Sequence, residues 1–319
     1  MKPRLAITLG DPAGVGPEIV SAALREGRVL RACEPVVVGD PFALALHRCQ
    51  LPEVEMLSVP GLNRKLRLGR PSREAGRSAI ESLERGLDLI RARQAHALVT
   101  APVSKESFHL ADLHHPGHTE WLAQQTQSGP VAMLMAAGPM RAILVTRHLA
   151  LSAVSRHLSP EALESSIRLG WEFVRRVLRR SAPRLVACGL NPHAGDGGLL
   201  GEEESAVIAP VLRQFRRQRM RVAGPISADS AFRDLSLERY DLALAMYHDQ
   251  GMIPLKVFDA DRLVNITLGL PFVRTSPGHG TAYDIAGKNR ANPKPMIEAI
   301  LLAAAYCQSS PPVDWTPLR

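Results

Sequence analysis

Ala243-Leu-Ala-Met-Tyr-His-Asp-Gln-Gly-Met-Ile-Pro-Leu-Lys256 is an apolar run that ends abruptly in a histidine, a carboxylate, an amide and a glycine. The apolar part predicts a buried strand, because short apolar runs bounded by turn residues are typical of parallel sheets. Ligands of such sheets bind at the carboxyl ends of the strands. His248 and Asp249 therefore indicate a functional site, although a single pair of this kind also fits a polar surface turn.

Two other apolar runs end in the same way, and this repetition favours the functional interpretation. They are Ala142-Ile-Leu-Val-Thr-Arg-His148 and Leu185-Val-Ala-Cys-Gly-Leu-Asn-Pro-His193. Three imidazoles at three strand ends predict a metal site with open coordination positions, whose ligands are His148, His193 and His248. Three histidines accept several divalent ions, so the pattern alone does not choose among zinc, cobalt, manganese, magnesium and nickel.

The rest of the chain alternates strands and helices. Leu5–Leu9, Pro35–Asp40 and Ala97–Thr100 are predicted strands, and Ser72–Arg93 is a predicted helix with one apolar face. This alternation predicts an α/β fold with a mostly parallel sheet. At 319 residues the chain is long enough for two domains.

A glycine-rich turn, Gly10-Asp-Pro-Ala-Gly-Val-Gly-Pro-Glu18, follows the first predicted strand. It lacks both the GxGxxG spacing of a dinucleotide fold and the GxxxxGK[ST] spacing of a phosphate loop. Backbone N–H groups in such a turn can cradle an anion or a cofactor, but a tight structural turn fits equally well.

The composition describes a folded protein and excludes several functional classes. Hydrophobic residues make up 45% and charged residues 22%, and no apolar run reaches the ~18 residues that a membrane helix needs.

The net charge of +8 comes largely from arginines late in two predicted helices, without the interleaved aromatics of a nucleic-acid site. The 4 cysteines are scattered without CxxC spacing, which argues against a zinc ribbon or a disulfide framework. Without a signal-peptide pattern, the expected compartment is the cytoplasm.

Polar residues downstream of the central stretch predict an anionic substrate. Lys256, Asn265 and Arg274 follow His248 within a short span, and two cations with an amide donor suit a phosphorylated or carboxylated ligand. His118 and Thr119 lie at the predicted start of a helix, where they either contact an anion or cap the helix. Asp229 lies in a predicted turn and is a candidate proton carrier.

Six long motifs follow one another along nearly the whole chain: Ile7-Thr-Leu-Gly-Asp-Pro-Ala-Gly-Val-Gly-Pro-Glu18, Gly117-His-Thr-Glu120, Val145-Thr-Arg-His148, Asn191-Pro-His-Ala-Gly195, Tyr247-His-Asp-Gln-Gly251 and Asn265-Ile-Thr-Leu-Gly-Leu-Pro-Phe-Val-Arg-Thr-Ser276. Together and in this order they resemble the 4-hydroxythreonine-4-phosphate dehydrogenase family of vitamin B6 biosynthesis. The segment from His279 to Gly287, with Ala291-Asn-Pro293, is similar to the adenosine-binding loop of the isopropylmalate and isocitrate dehydrogenases. Gly278 and Leu199 depart from the family pattern, in which Asp and His often stand.

The resemblance implies two α/β/α domains of the isocitrate and isopropylmalate dehydrogenase type, with the active site in the interdomain cleft. The first domain is expected to comprise residues 1–125 and 280–319, and the second residues 126–279. A homodimer with its active site at the subunit boundary is also implied, with no nucleic-acid or membrane partner.

The family's functional residues carry over onto matching positions of this sequence. The implied metal ligands are His148, His193 and His248, and the implied substrate contacts are His118, Thr119, Lys256, Asn265 and Arg274. The implied cofactor contacts are His279, Gly280, Thr281, Ala282, Asp284 and Asn292. Asp284 favours NAD⁺ over NADP⁺, because its charge would repel a 2′-phosphate on the adenosine ribose.

The implied reaction is an NAD-dependent and metal-dependent oxidation and decarboxylation of 4-phosphohydroxy-L-threonine to 3-amino-2-oxopropyl phosphate. Asp229 and Lys256 are the candidate catalytic residues. One alternative is a sister dehydrogenase acting on a four-carbon sugar-acid phosphate or an aromatic dihydrodiol carboxylate. A more remote alternative is a non-catalytic protein that binds metal and phosphate, which a test for steady-state NADH formation would distinguish.

Overall fold

The computed structural model describes residues 2–63, 65–112 and 117–309, which form two compact units. The first unit is Met1–Gly129 with Leu270–Arg319, and the second is Pro130–Gly269. The chain thus returns from the second unit to the first between residues 269 and 270. The boundary expected from the sequence was between residues 279 and 280. The cause is that the strand carrying Arg274 pairs in parallel with the strand Ala97–Thr100 of the first unit.

The first unit is a parallel sheet covered by helices. Its strands are β1 (Arg4–Thr8), β2 (Glu34–Gly39), β3 (Glu55–Ser58), β4 (Ala97–Thr100) and β11 (Val273–Pro277). Its helices are α1 (Gly16–Leu24), α2 (Gly27–Ala32), α3 (Pro41–Leu46), α4 (Arg73–Arg91), α5 (Lys105–Leu110), α6 (His118–Gln125) and α12 (Lys294–Ser309). The strands are ordered β3-β2-β1-β4-β11, and each pairs in parallel with its neighbour.

Helix α4 confirms the long helix predicted from its apolar periodicity. Ser72 caps it, since its hydroxyl accepts a hydrogen bond from the backbone N–H of Ala75 at 3.1 Å. Leu83 and Leu87 on its inner face are fully buried. Each contributes about 1.5–3 kcal/mol of hydrophobic stabilisation.

The second unit has a sheet with parallel and antiparallel pairs. Its strands are β5 (Ala132–Ala137), β6 (Met140–Leu144), β7 (Arg184–Cys188), β8 (Arg221–Ile226), β9 (Leu242–Ala245) and β10 (Leu263–Leu268). Its helices are α7 (Val154–His157), α8 (Pro160–Glu172), α9 (Ala209–Arg217), α10 (Ala228–Ser236) and α11 (His248–Asp259). The order is β10-β5-β6-β9-β7-β8, and the pairs from β6 to β8 are parallel. Strands β5 and β6 form an antiparallel hairpin across Gly138 and Pro139. The expected fold class, α/β with mostly parallel strands, is therefore confirmed.

The segment after β9 is more regular than its sequence indicates. His248 opens helix α11 directly, whereas the sequence also fitted a polar surface turn at this position. Gly251 lets this helix lie close to the sheet, since a Cβ at that position would come within 2.5 Å of the Leu144 side chain. Lys256 consequently lies on a helix and is exposed to solvent.

No helix among the residues that the structure describes is long and apolar enough to cross a membrane.

Candidate active site

The three histidines of the predicted metal site follow three strands that are neighbours in the second unit. His148 comes after β6, His248 after β9 and His193 after β7. Strand β9 pairs in parallel with both β6 and β7, so the three carboxyl ends lie at one edge of this sheet. The sheet therefore brings the three residues to the same edge, as their positions at strand ends predicted.

Two hydrogen bonds fix the end of β6 against the end of β9. The Thr146 hydroxyl donates to the carbonyl oxygen of Met246 at 2.7 Å, and the Val145 N–H donates to Ala245 at 2.9 Å. This pairing leaves the rings of His148 and His248 with centroids 5.6 Å apart and tilted by 42°. With metal–nitrogen bonds of about 2.0–2.1 Å, two imidazoles at this spacing can share one ion.

Asp249 orients the ring of His248. Its Oδ1 lies 2.6 Å from Nδ1 of His248, so Nδ1 donates this hydrogen bond and Nε2 remains available as a ligand atom. Carboxylates commonly orient metal-binding histidines in this way and raise the basicity of the ligating nitrogen.

Gln250 ties the end of β9 to the end of β7. Its Oε1 accepts from the Met246 N–H at 2.6 Å, and its Nε2 donates to the Gly189 carbonyl at 2.7 Å. The side chain thus sets the spacing between the turn at His248 and the loop that carries His193. Sequence reasoning quoted this glutamine but gave it no role, because its partners depend on strand order.

His193 lies in a left-handed stretch of backbone. The φ angles of His193, Ala194 and Asp196 are 53°, 55° and 44°, and two glycines of the same stretch are also positive. Left-handed residues other than glycine cost about 1–2 kcal/mol each, and such strain is typical of functional loops. The loop is anchored by buried Glu204, whose Oε1 accepts from the Asn191 N–H at 2.8 Å.

A cavity of about 510 Å³ opens beside this loop. His193, Asp229, Asp249 and Gln250 are among the residues that line it. Asp229 lies in the first turn of α10. The structure therefore places the candidate proton carrier on the same cavity wall as one candidate metal ligand.

The three histidines do not close into one ligand group. Across residues 2–63, 65–112 and 117–309, no three histidine, cysteine or carboxylate side chains converge closely enough to hold an ion. His148 and His248 are brought together, whereas His193 is exposed on the wall of the neighbouring cavity. In chemical terms the donor set still suits a divalent ion, because the residues are imidazoles at adjacent strand ends and one is held by a carboxylate.

Asn265, another predicted substrate contact, lies on β10. Its Oδ1 is buried and has no hydrogen-bond partner within the described part of the chain.

Arg274 and His118 form a buried basic pocket in the first unit. Arg274 is 2% exposed, donates to the Thr100 hydroxyl at 2.7 Å and lies 3.2 Å from Nδ1 of His118. The edge of the His118 ring packs at 81° against Phe108. Helix α6 begins at His118 with Gly117 as its N-cap and no side-chain cap, so Thr119 is a buried residue of the first turn and does not cap the helix.

Burial sets the charge state of this pocket. Desolvation lowers the pKa of Arg274 to about 10, and Glu120 offsets part of that effect. Desolvation, reinforced by Arg274, also lowers the pKa of His118 well below its usual value, so this ring is neutral at pH 7. Its Nδ1 accepts from Arg274, and its buried Nε2–H has no partner among the described residues. A buried cation beside an N–H donor can bind an anion.

The predicted cofactor contacts lie on a surface segment of the first unit. His279, Gly280, Asp284 and Asn292 are exposed, and Thr281 and Ala282 are half-buried. A Cβ added at Gly280 would meet nothing within 4 Å, so the space beside this turn is open to a ligand. The segment docks on the glycine-rich turn after β1, where the Val15 N–H donates to the Thr281 carbonyl at 2.9 Å.

Comparison with known proteins identifies relatives along nearly the full length of the chain. Residues 31–303 match the family model described as pyridoxal phosphate biosynthetic protein PdxA. A protein of Trichlorobacter lovleyi named 4-hydroxythreonine-4-phosphate dehydrogenase is 40% identical, and the alignment covers 95% of this chain and 97% of that one.

Solved structures give the same result. The crystal structure of 4-hydroxythreonine-4-phosphate dehydrogenase from Klebsiella pneumoniae is 37% identical with a TM-score of 0.86, covering 97% of this chain and 99% of that one. A terephthalate 1,2-cis-dihydrodiol dehydrogenase from Burkholderia xenovorans is 29% identical with a TM-score of 0.64, covering 95% and 98%.

Proposed function

This chain belongs to the family of the pyridoxal phosphate biosynthetic protein PdxA, and on that premise we propose that it is a 4-hydroxythreonine-4-phosphate dehydrogenase. The proposed reaction oxidises the secondary alcohol of 4-phosphohydroxy-L-threonine to a ketone, with hydride passing to NAD⁺. Loss of CO₂ from the resulting β-keto acid gives 3-amino-2-oxopropyl phosphate. The observation that carries the proposal is the pairing of His148 and His248 at neighbouring strand ends.

The proposed metal ligands are His148, His193 and His248. A divalent ion held by these residues would supply Lewis acidity toward the substrate hydroxyl and toward the negative charge that develops on decarboxylation. Asp249 keeps the proton of His248 on Nδ1, which leaves Nε2 as the donor atom. Gln250 and Thr146 hold the strand ends at a fixed spacing.

Arg274 and His118 are the proposed contacts of the substrate phosphate, with Thr119 beside them. The guanidinium offers a planar fork of donors, and the neutral His118 ring offers Nε2–H. Exposed Lys256 and half-buried Asn265 are proposed to bind the polar groups at the other end of the substrate. Asp229 is the proposed proton carrier, since it lines the cavity that also contains His193.

The proposed cofactor is NAD⁺, bound along His279, Gly280, Thr281, Ala282, Asp284 and Asn292. Exposed Asp284 disfavours the 2′-phosphate of NADP⁺ if it faces the adenosine ribose. Open space at Gly280 supports a ligand at this turn.

A homodimer is the proposed assembly, with helix α11 in its interface. Ile253, Val257 and Phe258 on this helix are exposed by 60%, 82% and 43%. Three large apolar side chains on one solvent-facing helix are typical of a protein interface. A second copy of this chain is the proposed partner, in keeping with the homodimer that the family resemblance implies.

The decisive experiment is steady-state NADH formation by metal-replete enzyme with 4-phosphohydroxy-L-threonine, beside four-carbon sugar-acid phosphates and an aromatic dihydrodiol carboxylate. The dihydrodiol substrate is included because of the 29% identity to the Burkholderia xenovorans enzyme. Preference for the phosphorylated threonine derivative supports the proposal. A higher kcat/KM for the dihydrodiol acid would assign the chain to the sister activity, and no NADH with any of them would refute a dehydrogenase function for this site.

A further inference from the structure

A buried glutamate–histidine pair connects the glycine-rich turn to the end of the candidate cofactor segment. Oε1 of Glu18 accepts a hydrogen bond from Nδ1 of His47 at 3.0 Å and another from the Gly287 N–H at 2.5 Å. Nε2 of His47 lies 2.8 Å from the carbonyl oxygen of Pro12. The side chains of Glu18 and His47 are 3% and 0% exposed. One carboxylate oxygen thus joins α1, the residue after α3 and the segment that ends at Gly287.

The hydrogen-bond partners define where the protons lie. The Pro12 carbonyl oxygen can only accept, so Nε2 of His47 carries a proton. The contact between Nδ1 and the Glu18 carboxyl group holds a second proton. Glutamine in place of Glu18 could still accept from Gly287, but it would remove the carboxyl group that shares a proton with Nδ1 of His47.

Stability alone does not account for this pair. Replacing a buried ion pair by packed apolar residues is often neutral or stabilising, because both charges lose their hydration. Glu18 also keeps Oε2 buried without a hydrogen-bond partner in the described residues, which adds to that cost. The pair's specific effect is geometric, since it fixes the backbone N–H of Gly287.

The other end of the same segment is docked by Asp11. Its Oδ2 accepts from the Tyr283 hydroxyl at 2.7 Å and from the Ser107 hydroxyl at 2.9 Å. A Cβ at Gly14 would come within 2.9 Å of the Thr281 carbonyl oxygen, so the two backbones touch only because residue 14 is a glycine. The segment is therefore held at Tyr283 and Gly287 by side chains of the glycine-rich turn, and at Thr281 by the backbone N–H of Val15.

We propose that Glu18, acting with His47, is a positioning residue that sets the conformation of the 279–287 segment for binding NAD⁺. The inference rests on the proposed function, in which this segment contacts the adenosine half of the cofactor. It gives the glycine-rich turn a role that its sequence left open, because the turn holds the cofactor segment in place.

The test compares Glu18→Gln and the apolar double variant Glu18→Leu/His47→Leu with wild type. The double variant removes both buried polar side chains together and is expected to fold even if the single variant does not. The matched control is Asp241→Asn, which disrupts a buried carboxylate–arginine pair of the second unit. NAD⁺ affinity is measured by calorimetry, kcat and KM for NAD⁺ by steady-state kinetics, and exchange of the Gly287 amide by hydrogen–deuterium exchange.

Both Glu18 variants should raise the Kd and the KM for NAD⁺ by about tenfold, the effect of losing a charge-assisted hydrogen bond. Their kcat at saturating NAD⁺ should be unchanged, and the Gly287 amide should exchange faster. Asp241→Asn should alter none of these. Wild-type Kd and wild-type exchange in the double variant would overturn the inference while leaving the proposed function intact. A wild-type enzyme that binds no NAD⁺ would overturn the proposed function and, with it, the cofactor role of Glu18. In that case the exchange rate of the Gly287 amide would still show whether Glu18 fixes the conformation of the segment.

Discussion

Replacing Arg274 with methionine should stabilise the protein and remove its preference for a phosphorylated substrate. The guanidinium is 2% exposed, and burial lowers its pKa to about 10. Because the folded-state pKa lies below the unfolded one, the charge is penalised in the folded protein at all pH values below about 10, and the penalty fades as the pH rises above that value. At 1.36 kcal/mol per pKa unit, the penalty at neutral pH is roughly 3 kcal/mol.

Methionine is apolar and of similar length, so it removes this penalty but also the hydrogen bonds to Thr100 and His118. Each such bond contributes about 1 kcal/mol, which leaves an expected gain of about 1 kcal/mol in the free energy of unfolding. The effect on catalysis has the opposite sign. Charge-assisted hydrogen bonds contribute about 1.5–3 kcal/mol each, so kcat/KM for the phosphorylated substrate should fall roughly ten- to hundredfold.

Urea unfolding and steady-state NADH formation measure the two effects on the same samples. Arg274→Lys is the matched control, since it keeps the charge but loses the planar fork and should fall between wild type and Arg274→Met in both assays. The loss of kcat/KM should be smaller for a substrate without phosphate. If Arg274→Met destabilises the protein by several kcal/mol and slows all substrates equally, Arg274 supports the fold or clamps a carboxylate, and the phosphate role is refuted.

Three further predictions follow from the second unit. Gln250→Ala leaves two backbone groups without their partner, so it should lower the free energy of unfolding by about 1–3 kcal/mol and weaken metal binding. Unchanged affinity in a metal titration would show that the histidine spacing does not depend on Gln250. His148→Ala and His248→Ala should each lose tight metal binding with an unaltered circular dichroism spectrum, and stoichiometric metal in both purified variants would contradict the ligand assignment. Val257→Glu places a charge on a side chain that is 82% exposed and should shift a dimer to monomer in sedimentation velocity; a monomeric wild type or an unaffected dimer would place the interface elsewhere.

Local sequence patterns were sufficient to predict the helices and strands named below and the types of residue that follow the strand ends. The long amphipathic helix before Ala97 and the strands that precede the three histidines are present as predicted. Each of these elements depends on the hydrophobic periodicity and the turn residues of a short stretch. Both are properties of the local sequence and do not depend on where the stretch lies in the fold.

Helix α11 and the place of Arg274 were not predictable in this way. Gly251 and Pro254 argue against a helix by intrinsic propensity, but contact with the sheet outweighs propensity and favours one. Arg274 is near His248 in sequence, yet the pairing of β11 with β4 assigns it to the first unit, beside His118. Strand order is a property of long-range pairing, and the residues of one strand do not encode it.

The sequence by itself determined which chemical groups are available: three imidazoles at strand ends, an arginine for an anion, and a glycine-rich turn without a dinucleotide fingerprint. Only the tertiary structure decided how these groups are held. Gln250 donates to Gly189, which lies 61 residues earlier in the chain, and Gly287 donates to Glu18 across 269 residues. Contacts at such separations require the closure of long loops, which costs conformational entropy. Local preferences of the chain do not offset this cost, so these contacts form only when the whole unit packs.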